Sequence, residues 1–171
     1  MSRILLAGFE GNNNSAKVLL DKLSAKEHID KLYLKNNFDM CASQITKYIQ
    51  KNYDLIIAFG QKPLIKSIYL ERYGCIGGKN YATAFEYEPL KSFLAGKGYK
   101  VKISDNAGNY LCNHVYGAGL GRIEQQKKST QYIFVHIPYI KNTNIDTLAS
   151  AFNEYIAILL MPEAKTNILK P

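Results

Sequence analysis

The chain has no tryptophan, only five prolines and three cysteines in 171 residues, and its 14 acidic side chains are outnumbered by 22 basic ones. Each shortage excludes something. Cys41, Cys75 and Cys112 form no CxxC pair and no zinc-like spacing with His28, His114 or His136, so neither a disulfide framework nor a zinc module is expected. An odd cysteine count fits a reducing compartment. Runs such as ILLAGF, LIIAFG and YIAILLM fall well short of the ~20 residues a helix needs to cross a bilayer. The opening MSRILLAGFEGNNN has a short apolar run, one Arg and no A-x-A-like cleavage site, so it reads as a first strand, and a cytoplasmic location is expected. Clustered positive charge is also missing. A net charge of +8 suits a phosphate backbone, but the lysines are spread along the chain with Lys127-Lys128 the only basic doublet, and no nucleic-acid partner is expected.

What is present is apolar periodicity. Hydrophobic residues make up 47% of the chain, enough for one well-buried core, and residues 1–171 are read as a single domain. Strands are predicted near 3–8, 31–35, 54–59, 99–104 and 131–137, and helices near 14–25, 38–51, 86–97, 107–124 and 144–161. Strands alternating with helices predict an α/β three-layer sandwich, a mostly parallel or mixed central sheet flanked by helices. Residues 62–81 fit this pattern less well, and their Gly77-Gly78 pair predicts a hairpin turn. The last ten residues read as a loose tail.

The chemistry-bearing residues gather in the C-terminal half. Cys112 sits in SDNAGNYLCN, which reads as a helix entry, and His136 follows in the strand-like QYIFVHIP. A thiol attacks as the thiolate, and the first turn of a helix faces the positive end of its dipole, so a lowered Cys112 pKa and an ion pair with His136 are expected. Loops leaving strand carboxyl ends would bring both to one edge of the sheet. A lone cysteine or a strand histidine is more commonly core filling, the reading adopted for Cys41 and Cys75. His114, two positions from Cys112, is expected to point away from it. GAGLG at 117–121 follows helical sequence instead of a strand, so it is not read as a dinucleotide loop.

NxAGxYxCN around Cys112, HIPY after His136, the N-terminal ILLAGFE and the central LIIAFGQ together resemble the pyroglutamyl peptidase I family, also called pyrrolidone carboxyl peptidases. The likeness runs from residue 3 to about 155 and is close in blocks around 4–10, 55–61, 104–113 and 133–139. The resemblance implies a cysteine exopeptidase or amidase that removes an N-terminal pyroglutamyl or similar small group. Cys112 would be its nucleophile, His136 its base and Glu71 the orienting carboxylate, since an ER pair follows GQ at the family's spacing. It also implies substrate contacts from Phe9, Asn13 and Gln61, no metal or cofactor, a peptide or small-amide substrate and self-association into a homo-oligomer. The departures are specific. The loop after GF is cut to EGNN, leaving Phe9 alone where the family has two aromatics, and GQAGGR is replaced by GQKPLI, with Ile65 in place of an Arg. These losses keep open the alternative of a catalytically impaired relative that binds a small amide or peptide.

Overall fold

The computed structural model describes residues 2–161, so the tail read as loose lies outside the described residues. In chain order the elements are β1 (Ile4–Phe9), α1 (Ser15–Lys22), β2 (Ile29–Leu34), α2 (Phe38–Ile49), β3 (Leu55–Gln61), β4 (Ile68–Glu71), β5 (Tyr73–Ile76), β6 (Lys79–Ala82), α3 (Tyr87–Gly96), β7 (Val101–Ser104), α4 (Leu111–Gln125), β8 (Gln131–Ile137) and α5 (Ile145–Leu160). Helix starts follow local chemistry. Asn14, Asn37 and Asn144 accept backbone N–H bonds at the starts of α1, α2 and α5.

Six strands form one sheet in the order β2-β1-β3-β8-β4-β7. The first four run parallel, whereas β4 pairs antiparallel with β8 and parallel with β7. The sandwich is therefore mixed. This corrects one expectation: the loop after β7 does not leave the sheet edge shared by the carboxyl ends of β1, β3 and β8. It starts from a strand of opposite direction and must run back toward the thiol.

Strand alternation divides the core into two layers. Ile4, Leu6, Ile57, Phe59, Ile133 and Val135 pack with α1, α3 and α5 on one face. Leu5, Ala7, Phe9, Ile56, Ala58, Tyr132 and Phe134 pack with α2 and α4 on the other, where Cys41 is a fully buried member. The uncertain 62–81 segment resolves into β4 and the β5-β6 hairpin. Gly77 and Gly78 turn that hairpin with φ of 58° and 75°, the signature of a two-residue type I′ loop. GAGLG lies inside α4, where the missing side chains make room: a β-carbon at Gly117 would come within 2.5 Å of the Cys75 backbone, and one at Gly119 within 2.4 Å of the Tyr132 ring.

Candidate active site

Parity decides which face each side chain meets. His136 lies two residues beyond Phe134 on β8 and so shares the α2/α4 face, and Glu71, adjacent to the opposite-facing Leu70, does too. Both are buried, and His136 Nδ1 is 2.7 Å from Glu71 Oε1. A carboxylate only accepts, so the proton of this bond sits on Nδ1, which leaves Nε2 with a free lone pair. Burial lowers the His136 pKa, opposed by Glu71, so at neutral pH the pair is a neutral imidazole hydrogen-bonded to a carboxylate and not an ion pair. The strand alternation that buries Glu71 turns Arg72 outward, where it pairs with Asp105.

Cys112 is the second residue of α4 and lies on the same face. Its sulfur rests on Gly60, where a β-carbon would come within 2.8 Å of Sγ and 2.6 Å of Phe134 Cε1. Gly60 is the direct register partner of His136 on the neighbouring strand, and adjacent strands are ~4.8 Å apart. Thiol, imidazole and carboxylate thus gather over one stretch of sheet, although no hydrogen bond joins the sulfur to His136.

The thiol's electrostatics correct the sequence expectation. Burial, reinforced by the Glu71 charge, pushes the Cys112 pKa up to about 12, opposite in direction to the lowering expected from a helix start. The resting thiol is therefore protonated. The helix also starts later than the 107 predicted. Ser104, Asp105 and Asn106 form a hydrogen-bonded loop in which Asn106 Oδ1 accepts from the Gly108 amide. Tyr110 occupies the N-cap position of α4 and its side chain makes no cap hydrogen bond, so the first-turn amides, including that of Cys112, have no side-chain cap.

The remaining predicted residues are placed less centrally. Phe9 ends β1 on the α2/α4 face and is 3% exposed. Asn13 is exposed in the turn before α1. Gln61 faces the other way: its side-chain oxygen accepts from the Ser15 amide and hydroxyl, capping α1. His114 packs its ring edge-on against that of Phe38, 5.1 Å between centroids.

Three supporting residues escaped the sequence reading. Gly60 admits the sulfur. Tyr116 donates its hydroxyl to the Glu71 carbonyl oxygen at 2.9 Å, and Asn113 accepts the Cys75 amide at 2.8 Å, tying the strand and hairpin to α4. Gly60 and Asn113 lie inside the FGQ and CN motifs, a signal that could have found them. Nothing local flagged Tyr116, since 45 residues separate the partners of its bond.

The fold and site define a class, a mixed α/β sandwich carrying a thiol, an imidazole and a carboxylate on one sheet face. Residues 75–154 match the family model described as pyroglutamyl peptidase. The pyrrolidone-carboxylate peptidase of Fusobacterium nucleatum is 31% identical over 81 residues, covering 47% of this chain and 36% of that protein. The one of Oceanobacillus iheyensis is 40% identical over 62 residues, 36% of this chain and 31% of that protein. The matches thus span about a third of those two relatives' length, whereas with the Staphylococcus aureus (strain JH9) enzyme, at 24% identity, they span 80% of this chain and 79% of that one. Among solved structures, pyrrolidone carboxyl peptidase from Thermococcus litoralis superposes with a TM-score of 0.82 at 17% identity over all of both chains. That from Fervidobacterium islandicum gives 0.80 at 20% over 93% of this chain and 98% of its own. In part of its sequence and in its fold the chain is thus similar to pyroglutamyl peptidases.

Proposed function

We propose that the chain is a cysteine exopeptidase that removes an N-terminal pyroglutamyl or similar small acyl group from peptides, with Cys112, His136 and Glu71 as nucleophile, base and orienting carboxylate. The observation that carries this reading is the buried 2.7 Å bond from His136 to Glu71 on the sheet face where the Cys112 sulfur lies. With Nδ1 held by Glu71, Nε2 takes the thiol proton as Sγ bonds to the substrate carbonyl carbon. Because the resting thiol is neutral, this transfer accompanies attack instead of preceding it. The carbonyl oxygen becomes an oxyanion beside the uncapped first-turn amides of α4. One such donor is worth ~10²–10³ in rate. On collapse the C–N bond breaks, the leaving amine takes the proton from Nε2, and water activated by the same nitrogen hydrolyses the thioester. Phe9 and Asn13 enter this reading as contacts to the substrate ring, whereas the Gln61 side chain, turned to the other face, is held by the start of α1. It takes 1–171 as one catalytic domain in the cytoplasm. Among the described residues no helix is long and apolar enough to cross a membrane.

The raised Cys112 pKa and the unbonded sulfur favour a second reading, a relative that binds a small amide without cleaving it. A panel of chromogenic pyroglutamyl and amino-acid amides separates the two. Slow release by the wild type, abolished by Cys112→Ser and His136→Ala, is the expected result. No release by folded wild type at high enzyme concentration gives the answer to the binding reading.

A further inference from the structure

Lys62 lies just beyond β3, two residues past Gly60, in the GQKPLI run where the resemblance expects a small side chain. It follows the parity of Gly60 onto the thiol's face. Its ammonium donates to the Asn106 carbonyl oxygen at 2.9 Å, lies 3.4 Å from Glu71 Oε1 and sits 5.2 Å from the centre of the Tyr69 ring. Those acceptors belong to different parts of the site: Glu71 orients His136, and Asn106 is in the loop that leads into α4 and Cys112.

Glu71 depends on this contact. The side chain is fully buried, both its donors, His136 Nδ1 and Lys62 Nζ, meet Oε1, and Oε2 has no partner among the described residues. Burying a carboxylate is costly unless it is paired, and a neutral imidazole supplies no charge. Lys62 is then the cation within ion-pair distance. The other groups facing the pair do not substitute for it. Neither the Cys112 thiol nor the Tyr69 phenol can carry a positive charge, Tyr116 donates to the Glu71 backbone, and Arg72 is turned outward onto Asp105.

We propose that Lys62 is a positioning residue of this site: one ammonium holds the Glu71 carboxylate toward His136 while pinning the Asn106 loop that delivers Cys112. The catalytic consequence rests on the hydrolase reading, but the structural one does not. Lys62 supplies a positive charge that disfavours a protonated His136 and favours the Cys112 thiolate.

The experiment compares wild type, Lys62→Met and Lys62→Arg by two readouts that need no turnover, the NMR titration of the His136 imidazole and iodoacetamide labelling of Cys112 at pH 8.5, alongside the amide assay. In Lys62→Met the imidazole titration should move upward and labelling should slow by about tenfold, the order of effect of one nearby charge. Lys62→Arg should restore both. If Lys62→Met does not fold, Lys62→Gln, which keeps a donor without the charge, should show the same upward titration. A folded neutral variant with unmoved titration and labelling overturns the proposal, even if the wild type hydrolyses amides. Shifted titration in a protein inactive toward every amide overturns the hydrolase reading and leaves the role of Lys62 standing.

Discussion

The sulfur of Cys112 occupies space that a β-carbon at residue 60 would need, with 2.8 Å to Sγ and 2.6 Å to the Phe134 ring. Gly60→Ala should therefore displace the thiol or the ring beneath it. Overpacking of this kind costs ~1–3 kcal/mol, but the larger effect should be on chemistry, because attack needs reacting atoms ~3–3.5 Å apart and small misplacements are costly in rate. A variant that folds, melts a few degrees low and has lost most amide hydrolysis is the expected outcome, measured by thermal melt and initial rate. The protonation states give a second expectation. In the proposed mechanism neutral His136 is the base; it is lost by protonation as pH falls, and burial lowers its pKa, so the acid limb of kcat/KM should lie below the usual histidine value of 6.5. Iodoacetamide labelling of Cys112 should be slow at neutral pH and keep rising toward alkaline pH, because burial holds the thiol protonated. A labelling plateau at neutral pH would restore the preformed thiolate expected from the helix position alone.

Among the elements, the contact between α4 and the β5-β6 hairpin is set by glycines on both sides. A β-carbon on Gly117 would meet the Cys75 carbonyl carbon, oxygen and amide at 2.5–2.8 Å, and one on Gly74 would meet the Gly117 amide at 2.4 Å. Backbone cannot yield as a side chain can. Gly117→Ala should destabilise by ~1–3 kcal/mol and lower the melting temperature by about 2–4 °C per kcal/mol. Gly96, at the end of α3 with nothing within 4 Å, is the control: Gly96→Ala should be neutral or slightly stabilising. The contact reaches the site, because the hairpin directly follows Glu71 and Tyr116 of α4 bonds the Glu71 carbonyl. Helices whose apolar period and Asn caps agree, α1, α2 and α5, were legible to within a few residues. The start of α4 was not, since the polar run at 104–106 looks like a cap but closes a loop of its own.

For the molecule as a whole, the buried His136 links folding to pH. Its folded pKa is lowered relative to the unfolded chain, so below about 6.5 the unfolded state binds the extra proton. Its contribution to stability is present above that value and is lost as pH falls from there toward the folded value. Urea midpoints should therefore drop on the acid side of neutrality more steeply in wild type than in His136→Gln. The sequence by itself determined the alternation of strands and helices and the two-sided apolar pattern, because these depend on neighbours within a turn or a strand. The family resemblance was likewise enough to single out Cys112, His136 and Glu71, which the fold brings to one face of the sheet. Only the tertiary structure decided that β4 and β7 run against the other strands, since pairing direction is a relation between distant segments. It also decided the charge states. The helix dipole that favours a thiolate is a local feature, whereas the burial that keeps Cys112 protonated and His136 neutral is made by side chains from β3, β4, β8 and α4 meeting in one place.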